Sequence, residues 1–239
     1  MKKVLWQEMR RTEFEEALSK DAVVIIPCGS MEQHGEHLPI NTDSNCCFEI
    51  AKKAAELIDE FPVLVLPPVW MGYSPHHMAY AGSITLDLHT YLEVLTGIAR
   101  SVHTHGFKKI LFLNGHGGNE PAVAAMRNKL LEEEGFPVIG YAYYNLPGVP
   151  EEIKRVNQTD KGVPGHSGEF ETSMELFLQA GLVNRTAMKW VDGVRGDPSG
   201  ATREKGERLF GFIVDTLRQF LRDYHSGIIE EKLVWRKEL

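Results

Sequence analysis

The sequence predicts an α/β domain, a mostly parallel sheet with helices packed over both faces. Three observations point there. Four short runs of apolar and β-branched residues punctuate the chain. Longer stretches with apolar residues at helical spacing lie between and after them. Clusters of polar, chemistry-bearing residues fall just after the runs, where open α/β sheets form their sites.

The elements follow in order. The run AVVIIPCG (22–29) is continuously apolar, as a strand buried on both faces should be. Residues 44–60 then carry Phe48, Ala51, Ala55 and Ile58 on a helical period. PVLVLPPV (62–69) is the second strand run, and Leu88, Leu92, Leu95 and Ile98 mark a helix over 87–105. His103 and His105 close that helix, where positive charge meets the C-terminal dipole, and read as structural. KKILFLNG (108–115) is the third run, followed by a helix over 120–134 with Val123, Met126, Leu130 and Leu131. FPVIGYAYY (136–144) is the fourth run. Two more helices fit 169–180 and 202–224, the latter with Leu209, Phe212, Ile213, Leu217 and Phe220. The irregular segments 66–86, 145–167 and 184–201 are long for a compact domain, and such loops more often carry function. With no repeat or interdomain linker, residues 1–239 read as one domain.

The totals exclude several classes of function. At 239 residues the chain can bury a large core without disulfides. Lys plus Arg is 26 and Asp plus Glu is 33, a formal charge of −7. That argues against nucleic acid or an anionic membrane as partner. No apolar stretch approaches a membrane span, and the N-terminus lacks the apolar run of a signal peptide. Cys28, Cys46 and Cys47 form no C-x-x-C, so a reducing cytoplasm is expected and the thiols read as inert.

Three clusters carry the chemistry. The first is GSMEQHGEHLPINTD (29–43). In extended backbone, residues two apart share a side, so Glu32 and His34 face one cavity while Gln33 points away. Asp43 is either a ligand beside them or the cap of the helix that follows. In NGHGGN (114–119), His116 sits among glycines, and Gly117 and Gly118 allow backbone to approach a ligand closely. Neither phosphate-loop pattern is present there. In GHSGEFETS (165–173), His166, Glu169 and Glu171 open a helix. Ordinary capping by Ser167 and acidic residues at the dipole could account for that segment, and for Glu171 as readily as a site role. Glu32, His34, Asp43, His116 and Glu169 together form a mixed carboxylate–imidazole set suited to Zn, Mn or Fe(II). Five ligands are too many for one catalytic zinc and suit two ions sharing a carboxylate, which would activate a bridging water.

On GSMEQHGEHLPINTD, LFLNGHGGN, GHSGEFETS and, more weakly, ATREKGERLF, the chain resembles the creatininase (creatinine amidohydrolase) family over about residues 20–220. The resemblance implies a three-layer α/β/α fold, two divalent metals per chain (zinc, manganese or both, with iron as a further option) and a homo-oligomer, often a hexamer. It implies hydrolysis of an amide C–N bond in a small molecule by a metal-bridging hydroxide. Carried over by position, Glu32 and His116 would hold one ion, His34 the other, and Asp43 both. His166 matches the family's proton-transferring histidine. In creatininase a further carboxylate lies two residues after the N-G-H histidine, where this chain has Gly118, and Glu169 is the expected replacement as ligand and catalytic group. Creatininase also places tryptophans around creatinine. One such position falls on Tyr144 or Tyr143 and the other within KGVPGH, which has no aromatic, so creatinine is not the expected substrate. A deformylase of flavin and deazaflavin biosynthesis, a peptidase acting on a redox-cofactor precursor and a hydrolase of oxidised inositols resemble the chain at least as well. His77, in a segment where the family has a histidine before an aromatic and Pro-Gly-Thr, is expected to contact substrate with Tyr144, Gly117 and Gly118, or else to be a solvated loop histidine. A non-catalytic metal- or metabolite-binding member is the alternative that Gly118 favours and that His166 and Glu169 oppose.

Overall fold

In the computed structural model, which describes residues 2–159 and 165–229, four strands form one parallel sheet in the order β2-β1-β3-β4. Helix α1 (Arg11–Ser19) leads into β1 (Val23–Cys28), and α2 (Thr42–Glu56) leads into β2 (Val63–Val65). Helix α3 (Leu88–Thr104), β3 (Lys109–Asn114), α4 (Glu120–Glu132), β4 (Ile139–Ala142) and α5 (Val149–Val156) follow. Helices α6 (Glu169–Leu178) and α7 (Arg203–His225) complete the order. All four strand runs and the five helices expected from periodicity are present, each within a few residues of its expected place.

The sheet divides the core in two because successive strand side chains point to opposite faces. Val23, Ile25, Leu111 and Leu113 pack with residues of α2, α5, α6 and α7. Val24, Ile26, Ile110 and Phe112 pack on the other face with residues of α1, α3 and α4. This is the three-layer arrangement. Every residue of β1 is buried, and truncating one of its isoleucines to alanine would cost about 2–5 kcal/mol.

Register places the site. Cys28 pairs with Asn114, and Asn114 with Ala142, so three strands end level at one rim. The segments beginning at Gly29, Gly115 and Tyr143 therefore leave the sheet side by side. Helix α2 starts directly over that rim. A Cβ at Gly115 would lie 2.6 Å from the Asp43 carbonyl oxygen, so the glycine is what lets the helix start come so close.

Candidate metal centre

Four side chains from three segments meet above the rim. Asp43 belongs to the first turn of α2 and caps nothing. Its Oδ1 lies 3.2 Å from His34 Nε2, and its Oδ2 3.0 Å from His116 Nδ1. His116 Nδ1 is also 3.2 Å from Glu32 Oε1. Glu32, His34, Asp43 and His116 are each at most 5% exposed. The other oxygen of Glu32 is held from behind by the hydroxyls of Ser74 (2.5 Å) and Ser30 (3.1 Å). His34 Nδ1 faces the Glu32 carbonyl at 3.1 Å, so it carries a proton and Nε2 is the nitrogen turned to the centre.

Glu171 completes the group. Its Oε2 lies 3.8 Å from His34 Nε2 and accepts the Ser167 N–H at 2.5 Å. Glu169 lies elsewhere. Its Oε2 accepts from the backbone N–H groups of Gln158 and Thr159 and from the Thr159 hydroxyl, and its Oε1 pairs with Lys205. The physical reason is helical phase. Residues two apart on a helix differ by about 200°, so only one of the pair can face the rim. Ser167 does not cap α6 either. Gly168 is the N-cap, and the Ser167 hydroxyl is buried without a hydrogen bond. The carboxylate missing at position 118 has no room, because a Cβ there would lie 2.3 Å from His116 Nε2 and 2.4 Å from the Tyr73 carbonyl oxygen.

The cluster's electrostatics are those of an incomplete site. Burial pulls His34 down, but Asp43, Glu171 and Glu32 outweigh it and hold the imidazole up at about 10. Burial likewise opposes charge on His116, and Asp43 and Glu32 again raise it to about 10. Burial alone would raise Asp43, yet the two histidines pull it far below the carboxylate range. Burial lifts Glu171 to about 7. Three closely placed carboxylates thus gather positive charge wherever they find it. Glu32 Oε1 and Asp43 Oδ2 are buried with no hydrogen bond, and buried carboxylate oxygens normally have one. Ligand atoms of Glu32, His34 and Asp43 lie within 4.8 Å of one another, as do those of His34, His166 and Glu171. Oxygen and imidazole donors with orphaned oxygens turned inward fit divalent metal.

Above this floor opens a cavity of about 670 Å³. His77, Tyr144, Gly117, Gly118 and His166 line it, as the sequence reading expects of them, and Glu169 does not. Tyr143 turns into the core instead, edge-on to Tyr144 and near Phe170. Most of KGVPGH, residues 161–164, lies outside the described residues. His166 is fixed by two backbone hydrogen bonds to Arg195, both 2.8 Å. Burial and the nearby His34 charge push its imidazole down to about 3, so it is neutral at neutral pH. Sequence reasoning missed Gln33, Ser74 and His76. Gln33 does not point away but sits against His77 and His166. Ser74 and His76 carry no signal in sequence beyond lying in a long loop beside His77. The three thiols are free and buried, and burial pushes Cys28 up to about 12.

Comparison with known proteins agrees with this geometry. The creatininase family (creatinine amidohydrolase) matches residues 7–221. The chain belongs to the creatininase family. As a creatininase-family member it is a metal-dependent hydrolase acting on carbon–nitrogen bonds. A mycofactocin precursor peptide peptidase from Mycolicibacterium smegmatis is 29% identical over 208 residues, 81% of each chain. Among solved structures, a zinc–zinc form of a creatininase mutant superposes with a TM-score of 0.82 at 25% identity, covering 93% of this chain and 98% of that one. A manganese form of creatininase gives 0.81 at 26% identity with the same coverage.

Proposed function

We propose that this chain opens an amide C–N bond, in a cyclic amide or a formamide of a small molecule, at a two-metal site, and that creatinine is not its substrate. The observation that carries the reading is the cluster of three carboxylates in which one buried oxygen each of Glu32 and Asp43 lacks a hydrogen bond beneath an open cavity. Glu32 and His116 would hold one ion, His34 and Glu171 the other, and Asp43 would face both with its two oxygens. When bound, such ions polarise the scissile carbonyl and make water acidic at neutral pH. Zinc and manganese are the metals of choice, since both occur in solved creatininases.

The chain's own residues do the rest. Neutral His166 takes a proton from the attacking water as the carbon–oxygen bond forms. It passes that proton to the leaving nitrogen as the C–N bond breaks, so the products are a carboxylic acid and an amine. Ser30 and Ser74 keep Glu32 aimed at the floor. Tyr144 forms a wall against which the flat part of a substrate rests, while Gly117 and Gly118 leave its backbone approach open. A phenol in place of an indole at this wall supports a substrate other than creatinine. The exposed apolar side chains Trp70, Met71 and Ile84 support a homo-oligomer, which sedimentation analysis tests. Among the described residues no helix is long and apolar enough to cross a membrane.

The test is a screen of cyclic amides and formamides against zinc- and manganese-loaded protein, following ring opening and formate release. Turnover of at least one class, with creatinine slower, is the expected result. Loaded protein that turns over nothing in the panel, or prefers creatinine, contradicts the reading.

A further inference from the structure

The hydrogen bonds around Gln33 can be counted to a single solution. Gln33 Oε1 accepts the Gly35 N–H at 2.9 Å, which fixes the amide's orientation. Its Nε2 is 2.7 Å from the Gly193 carbonyl oxygen, an acceptor only, so one of its two hydrogens is committed there. Two imidazole nitrogens compete for the other: His77 Nδ1 at 3.0 Å and His166 Nε2 at 2.9 Å. His166 Nε2 is also 2.8 Å from the Gln33 backbone oxygen. If Nε2 of His166 were bare, two lone pairs would face each other across that 2.8 Å, and His77 Nδ1–H would point at a nitrogen with nothing to accept it. The arrangement that satisfies every atom gives the second amide hydrogen to His77 Nδ1 and makes His166 Nε2–H donate to the Gln33 carbonyl.

The outer nitrogens follow. His77 carries its proton on Nε2, which lies 3.5 Å from Glu32 Oε1, and His166 turns a bare Nδ1 to the same oxygen at 3.5 Å. We infer that Gln33 is a positioning residue that locks His77 and His166 in the same Nε2–H tautomer but in opposite orientations, His77 turning its N–H inward as a hydrogen-bond donor to the substrate oxygen and His166 turning a bare Nδ1 inward as the proton acceptor. The two rings stack, with centroids 4.4 Å apart, so one residue serves both, His77 through its side-chain amide and His166 through its backbone carbonyl. A single residue beside the metal ligands thereby sets the division of labour between two histidines from different loops. The inference rests on the hydrolase reading for its role in turnover, but the tautomers themselves do not depend on it.

The experiment is nitrogen-15 NMR of the imidazole rings in the full-length, zinc-loaded protein. His77→Gln and His166→Gln spectra assign the two rings among the ten histidines. The expected spectrum shows a protonated Nε2 on both rings, Nδ1 of His77 shifted by an accepted hydrogen bond, and Nδ1 of His166 bare of proton. Gln33→Met keeps the side chain's length without the amide. It is expected to release His77, leaving mixed tautomers on that ring while the backbone carbonyl still holds the His166 Nε2 proton, and to lower kcat at least tenfold with a smaller change in KM, at unchanged zinc content. Gln33→Asn, a shorter amide, tests whether the reach of the amide matters and is expected to recover less than half of the lost turnover. A proton on His166 Nδ1 in the wild type overturns the inference, as does a Gln33→Met spectrum in which His77 keeps its tautomer unmixed. If the tautomers are as stated but no amide is turned over, the hydrolase reading fails and the lock stands.

Discussion

Two carboxylates sit two residues apart on α6, and they belong to different worlds. Glu169 is fully buried and saturated. One oxygen takes three hydrogen bonds from the 158–159 segment and the other pairs with Lys205, which also donates to the Gly200 carbonyl. Glu171 faces Asp43, Glu32 and two histidines in a group whose buried oxygens are left over. Buried charge that is complete joins elements together, here the approach to His166 with α7. Buried charge that is incomplete awaits a cation. Residue type does not separate these cases, but the tally of partners does.

The sharpest way to break the comparison is at its shared carboxylate. Asp43→Asn should remove bound metal and lower turnover by more than about 10³-fold, measured by elemental analysis and substrate hydrolysis on one preparation. Glu171→Gln should weaken one of two ions and cost about 10²-fold in turnover, with a fold as stable as the wild type in chelator.

On the structural side, Glu169→Gln should leave metal content alone and destabilise by about 3 kcal/mol, because Lys205 is left half-paired in a buried place. For a chain of this size that is a fall in Tm of roughly 6–12 °C. Chelation should lower the Tm of the wild type as well, by the linkage of a ligand that binds only the folded state, and should do so far less in Asp43→Asn. Calorimetry with and without chelator reads both effects.

The smallest effect concerns Glu175, one turn beyond Glu171. Burial raises its carboxyl above 4.5, against hydrogen bonds from Asn45 and Cys46 that pull it back. The folded state then holds this proton to higher pH than the unfolded chain. Its contribution favours folding at low pH and is lost as pH rises from 4.5 through the folded value. Glu175→Gln should therefore remove that loss and raise the Tm slightly at neutral pH while leaving it unchanged near pH 4. An equal shift at both pH values would point to packing instead.

Much of the fold was legible because strand burial and helical spacing write themselves into residue order. The run 22–29 contains β1 whole, and Leu209, Ile213, Leu217 and Phe220 mark the buried stripe of α7. Level strand ends explain why Glu32, His34, Asp43 and His116 converge as their positions after the strands suggest. The phase of α6 was not legible. Glu169, Phe170 and Thr172 through Leu176 are all buried, so no polar face marks which glutamate looks at the rim. Gln33 was misread for a related reason. Alternation holds along a strand, and the chain leaves β1 at Cys28, so by residue 33 its side chains follow loop geometry, set by contacts with Gly193 and His77 that are distant in sequence.

The central claim is that Glu171, and not Glu169, completes a two-metal centre. Elemental analysis of Glu171→Gln and Glu169→Gln beside the wild type, all purified and reconstituted alike, tests it most directly. The account expects close to two ions per chain in the wild type and in Glu169→Gln, falling toward one in Glu171→Gln. Two ions retained in Glu171→Gln and one lost in Glu169→Gln would contradict it.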